Sequence, residues 1–243
     1  MSLVPIQPSL QHSIWFQEQN FAFNYLLKVA CTAWKLHLWQ VSGHVIPADL
    51  NYHDVHNPGR LVLPYVAQMP KEQQLAYLHK LEEGPLTAMA VILDPRSRVL
   101  SAYLDKILFH SNPESKFSRS VLPAIQTSFG LAAEQPPSFE QFLCWNQAQP
   151  HAQQWNPHWR PMVHLMGSTE RLQFWPMEQL DSAVRAAHNQ FKCNLTLPQP
   201  QELGPRQTYK SQTQLEHYYG PLEQTVVNEM YRNDLELHAA LVA

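Results

Sequence analysis

The chain has 243 residues, 44% of them hydrophobic, and a formal net charge of −3 from 17 Lys and Arg against 20 Asp and Glu. That length and apolar share suit a globular protein with a sizeable core. So even a charge balance excludes the broad basic field of a nucleic-acid groove, and any anion site must be built from a few well-placed groups.

Three scattered cysteines, Cys31, Cys144 and Cys193, without a CxxC pair, speak against a disulfide framework and a structural zinc site and fit a reducing compartment. The first twenty residues lack a basic start followed by an apolar run, and no stretch reaches the roughly 18 consecutive apolar residues that span a bilayer. A soluble, cytoplasmic protein is expected. Twenty prolines against seven glycines imply stiff connections between elements.

Phe21 to Val29, "FAFNYLLKV", reads as a buried strand; Thr32 then stands where an N-cap would open a helix to about Val41, closed by Gly43. "HVIPADLNYHDVHNPGR" has turn chemistry and no period, so it reads as a loop of functional length. Met69 to Leu81 suits an amphipathic helix, with Pro70 near its first position and Leu75, Leu78 and Leu81 on the apolar face. Ala88 to Leu93 has the length of a buried strand. Asp94 can cap and Pro95 can start the helix that carries Val99, Leu100, Tyr103 and Ile107. Strand, tight turn and helix thus occur twice around a crossover helix, which implies parallel pairing and two turns at the carboxyl edge of one sheet, where α/β proteins bind ligands. Further on, Ser138 and Gln141 form a capping box, "ERLQFW" reads as a short third strand, "PMEQLDSAVRAAH" as a helix, "LPQPQELGPRQTYKSQ" as a polar loop, and the tail from Pro221 as two helices broken near Asn233. No linker divides the chain, so residues 1–243 are expected to form a single domain.

The first turn can be read in two ways. The opening N–H groups of a helix lack intrahelical partners and sit at its positive end, so an anion there gains hydrogen bonds and a favourable dipole. Ala30, Cys31, Thr32 and Ala33 are small enough to admit one, with Lys28 before the turn and Lys35 one turn into the helix. In the plainer reading both lysines are solvated and Thr32 is only a cap. Walker and nicotinamide fingerprints are set aside because each needs glycines that this turn lacks.

"KVACTAWK" followed by "ILDPRSRVLSAYLDKI" resembles the paired cofactor motifs of the carbohydrate sulfotransferases, the group that includes chondroitin and dermatan 4-O-sulfotransferases. The likeness extends through "SFEQFLCW" and "NPHWRP" to "VNEMYRNDLELHAAL". The resemblance implies an α/β, three-layer, P-loop-like sulfotransferase fold, with a small central parallel sheet flanked by helices and a helix-rich C-terminal half. It also implies sulfuryl transfer from 3′-phosphoadenosine 5′-phosphosulfate, without a metal, to a hydroxyl of a glycan or small molecule. By position, Lys28 would contact the transferring group, and Ala30, Cys31, Thr32, Ala33 and Trp34 the 5′-phosphate. Arg98 and Ser101 would stand near the 3′-phosphate, and the late loop that carries Arg206, Tyr209 and Lys210 is a further source of positive charge over the nucleotide. Leu93 replaces the family's arginine, and Arg96 is a candidate to compensate for it.

For the base, histidine has a suitable ordinary pKa of about 6.5. "DVHNPGRL" resembles the family interval that carries one, which selects His56, with His53 in reserve. His158 and Trp159 are candidates to border the acceptor pocket, Trp159 equally for the core, and Arg160 to contact an anionic acceptor or simply to sit at the surface. Two other readings remain open: a degenerate nucleotide-binding or interaction protein on the same fold, suggested by Leu93, and a metal-dependent hydrolase using His53 and His56. The absence of an anchor points to a soluble, bacterial-type member.

Overall fold

Short aromatic and aliphatic runs form the strands in the computed structural model, which describes residues 10–51, 54–109, 115, 117–150, 152, 155–167, 171–193 and 211–243. In chain order the elements are β1 (Ser13–Phe16), β2 (Phe21–Asn24), α1 (Cys31–Val41), α2 (Lys71–Glu82), β3 (Thr87–Ile92), α3 (Pro95–Tyr103), α4 (Leu122–Phe129), α5 (Phe139–Ala148), α6 (Met162–Met166), β4 (Leu172–Pro176), α7 (Leu180–Phe191), α8 (Leu215–Tyr218), α9 (Pro221–Met230) and α10 (Arg232–Val242). Among the described residues, 10–92 and 165–193 form one compact unit, and 93–164 with 211–241 another.

The first unit holds a sheet in the order β1-β2-β3-β4. β1 pairs antiparallel with β2, while β2, β3 and β4 are mutually parallel. Side chains alternate between the faces of a strand, so Phe21 and Phe23 share one face. Trp34 of α1 stacks on Phe23 with centroids 4.6 Å apart, and Phe191 of α7 meets Phe16 and Phe21 edge-on at 4.9 and 5.5 Å. On the other face Trp15 packs against Tyr77 of α2 at 5.7 Å. The unit is therefore three-layered: α1 and α7, the sheet, then α2.

The parallel pairing across α2 and the third strand follow the expectation. The strand predicted over 21–29 stops at Asn24, and the next six residues make a turn. β1 is an addition: its four residues are all buried, which hides the alternation that marks a strand. Pro70 caps α2 rather than opening it, and the helix buries Tyr77 and Leu81 while Leu75 lies exposed.

In the second unit the local signals hold. The Asp94 carboxylate accepts from Arg96 N at 3.0 Å and Pro95 opens α3. Ser138 and Gln141 exchange both capping bonds, at 2.9 and 3.1 Å. The tail breaks at Tyr231, between α9 and α10. Tyr103, Phe139, Phe142, Trp159, Val227 and Tyr231 belong to its buried core.

Candidate active site

In the first unit, the chain leaves the carboxyl end of β2 and turns through Tyr25–Ala30 into α1. Lys28 and Ala30 both take left-handed backbone angles, φ 69° and 48°. Such angles normally call for glycine and cost a non-glycine residue about 1–3 kcal/mol each, so they persist only where the surroundings over-determine them. Here Leu26 and Val29 are buried on either side, and the Tyr25 hydroxyl donates to Gln11 O at 2.8 Å. The sequence reading placed Thr32 at the N-cap. Instead Ala30 holds that position, with no side chain to cap, and Thr32 is the second helical residue. The first intrahelical bond runs from Trp34 N to Ala30 O at 3.0 Å. The N–H groups of Cys31, Thr32 and Ala33 therefore open the helix as donors without intrahelical acceptors, at the positive end of an eleven-residue dipole.

Thr32 meets the residue selected as base. Its Oγ1 lies 3.1 Å from His56 Nε2. His56 ends a short turn, Asp54–His56, whose middle residue, Val55, is fully buried. Asn51 and Asp54 brace that turn by exchanging side-chain-to-backbone bonds, both 3.2 Å. Arg60 closes the loop on Asp49 at 2.7 Å and lies 3.8 Å from Asp54. Spacing shows a loop here but no partner for it, since Thr32 and His56 are 24 residues apart.

Lys35 departs from the solvated reading. It is 4% exposed, with Nζ 4.1 Å above the Tyr25 ring and 5.3 Å from the Tyr65 ring. Burial lowers its pKa, against a smaller opposing effect of the nearby Cys31 sulfur. Burial also pushes the Tyr25 and Tyr65 phenols well above their ordinary range. Among the described residues no carboxylate pairs with this ammonium, and its charge is met by ring faces. Trp34, expected to contact phosphate, does not fit that role: its indole is wholly buried against Phe23 and its backbone N–H is given to Ala30 O. His53, Arg206, Tyr209 and Lys210 lie outside the described residues.

In the second unit, the expected phosphate contact Arg98 is 1% exposed and donates to Arg160 O at 2.8 Å and Pro157 O at 2.9 Å. Its guanidinium staples the "NPHWRP" segment, a structural use that sequence proximity cannot reveal. Arg96 does not reach out to replace the missing arginine. It forks onto Asp94, with Nε at 3.1 Å from Oδ1 and Nη2 at 3.1 Å from Oδ2; this hydrogen bond raises its pKa. Ser101 is half-buried on α3. Trp159 resolves to the core, packed on Phe142 and Phe117, and Tyr231 donates its hydroxyl to Trp159 O. Arg160 is turned inward onto Trp155 O, at 2.8 and 2.6 Å, and burial lowers its pKa. His158 Nδ1 lies 2.7 Å from Asn156 Oδ1. Asp234, missed by the sequence reading, accepts from Met162 N at 2.6 Å and Val163 N at 2.9 Å, and so caps α6 from 72 residues away.

A sulfotransferase family model matches residues 11–239, across both units. The chain belongs to the sulfotransferase family. It is also similar to carbohydrate sulfotransferase 14 of Danio rerio, 25% identical over 187 residues, which are 71% of this chain and 48% of that relative. The chain thus spans about half the length of the curated relative it matches. No solved structure matches. Among the described residues there is no group of three or more His, Cys, Asp or Glu side chains that could hold a metal ion, and no helix is long and apolar enough to cross a membrane.

Proposed function

We propose that the chain is a single sulfotransferase domain over 1–243. In this reading it moves the sulfuryl group of 3′-phosphoadenosine 5′-phosphosulfate to a hydroxyl of a carbohydrate or small-molecule acceptor in the cytoplasm. The observation that carries the reading is the meeting of Thr32 and His56 at the open start of α1. The donor fits this turn on chemical grounds: three backbone N–H groups, the small side chains of Ala30, Cys31 and Ala33, and the Lys28 ammonium suit a phosphosulfate. His56 takes the proton of the acceptor hydroxyl. The acceptor oxygen bonds to sulfur as the bond from sulfur to the phosphate oxygen breaks, and the nucleotide departs as 3′-phosphoadenosine 5′-phosphate. Lys28 and the helix start stabilise the charge that grows on the leaving oxygen, by analogy with phosphoryl transfer. By motif position Ser101 is left to meet the 3′-phosphate, since Arg98 is buried and gives its guanidinium to the Pro157 and Arg160 carbonyls.

The test combines calorimetric titration of 3′-phosphoadenosine 5′-phosphate with transfer of labelled sulfate to a panel of hydroxyl acceptors. Lys28→Ala and His56→Ala should each lose at least about 100-fold in turnover with unchanged melting temperature. Near-normal turnover in both would show that the chemistry is misassigned. A second reading, a degenerate nucleotide-binding or interaction protein on the same fold, is favoured by the commitment of Arg96 to Asp94 and of Arg98 to backbone carbonyls, which withdraws two expected phosphate contacts. It predicts weak nucleotide binding and no transfer to any acceptor.

A further inference from the structure

The 3.1 Å contact between Thr32 Oγ1 and His56 Nε2 joins two groups that sulfuryl transfer would need separately. A threonine hydroxyl has a single proton to donate and two lone pairs to accept with. With His56 neutral and protonated on Nδ1, that proton goes to Nε2 and covers the lone pair a base must offer. Thr32 is also the second residue of α1, beside the N–H groups that start the helix. An anion seated there is an acceptor only, and a hydroxyl bonds a charged oxygen more strongly than a neutral ring nitrogen.

We infer that Thr32 is a positioning residue that couples donor binding to release of the base. Without donor its hydroxyl is given to His56 Nε2; with an anionic phosphosulfate at the start of α1 it turns to the anion, and Nε2 is left open to an acceptor hydroxyl. This inference rests on the proposed sulfotransferase reading and adds an order of events to it. Donor must precede productive acceptor binding, because before that the lone pair of the base is occupied by the threonine O–H and not by the acceptor's. Thr32 is 1% exposed and its backbone is fixed by the helix, so the exchange is a rotation about χ1, while the Asn51 and Asp54 bonds hold the turn that presents His56. The other ionisable groups on the two elements are Asp54 on the turn, and Cys31, Lys35 and His37 on α1.

The experiment uses the full chain with 15N-labelled histidine, at a pH where the ring is neutral, and 3′-phosphoadenosine 5′-phosphate as probe. The Nε2 resonance reports whether that nitrogen accepts a hydrogen bond. In the unmodified protein, saturation with nucleotide should move this signal to the position of a nitrogen without the bond. Thr32→Val, which is nearly isosteric, should sit near that position before nucleotide is added and move much less on addition. Thr32→Ser should behave as the unmodified protein. Calorimetry should show nucleotide binding weakened about tenfold or more in Thr32→Val and nearly restored in Thr32→Ser. Nucleotide that binds tightly yet leaves the Nε2 signal in place, or shifts it equally in Thr32→Val, overturns the coupling and leaves the sulfotransferase reading intact. Failure of the unmodified protein to bind nucleotide would overturn both.

Discussion

Replacing Asp234 by alanine tests what the closing motif of the chain does. The carboxylate is fully buried and accepts from the backbone of Met162 and Val163 at 2.6 and 2.9 Å. Burial pushes its pKa up, and the two amides and Arg98 pull it back. Truncation leaves one buried and one half-buried N–H group at the opening of α6 without an acceptor. Each orphaned group costs about 1–3 kcal/mol, so the loss is about 4 kcal/mol in all. For a chain of this size each kcal/mol lowers the melting temperature by about 2–4 °C, which predicts a fall of about 8–16 °C. Circular dichroism during thermal and urea unfolding measures it. Asp234→Asn, which keeps one acceptor oxygen, should lose about half as much. A melting temperature within about 2 °C of the parent, together with loss of nucleotide binding, would refute the structural role and make Asp234 a ligand residue.

Three further outcomes follow from the first unit. Ala30→Gly should raise stability by up to about 1 kcal/mol, because it relieves a left-handed angle, whereas Ala33→Gly, in regular helix, should lower it by about 1 kcal/mol; urea midpoints that move in the same direction would contradict the strained turn. Lys35→Met should stabilise the fold by about 1 kcal/mol, since it replaces a buried ammonium that meets no carboxylate among the described residues by an apolar chain of similar length; a lower urea midpoint would mean that the two tyrosine rings compensate the charge fully. His188 Nε2 lies 3.0 Å from His37 Nε2, and burial lowers the His188 pKa. Below about pH 6.5 the unfolded chain binds a proton that folded His188 resists. Its contribution is thus present above that pH and lost as the pH falls through the depressed value, so stability should decline on acidification and decline less in His188→Gln.

Elements set by local chemistry were legible in the sequence: the Asp94–Pro95 start of α3, the Ser138–Gln141 box, and the paired strand-turn-helix units whose parallel pairing requires a crossover. The first turn was recognised as the candidate anion site although its geometry was not. Left-handed angles at Lys28 and Ala30 leave no mark where glycine is absent. What stayed hidden depends on partners far apart in the chain. Arg98 spends its charge on carbonyls 59 and 62 residues away, and Tyr231 and Asp234 reach back 72. Three stretches of family likeness, "DPRSRVLSAY", "NPHWRP" and "YRND", are thus tied together by one buried polar network, and part of the resemblance reflects folding rather than chemistry. Thr32 and His56 were each legible, but their contact was not.

The capping of α6 by Asp234 also bears on how the chain is made. During synthesis Met162 emerges long before the residue that completes the opening of its helix, so the second unit cannot reach its final hydrogen-bonding until seventy-two further positions have been added. Until then two amides and a core tyrosine's acceptor wait for their partners, and the half-made unit offers chaperones and proteases a prolonged target. A nascent chain stalled short of Asp234 should therefore be cleaved near Met162, and the complete chain stalled on an appended C-terminal tail that clears the ribosome should be protected.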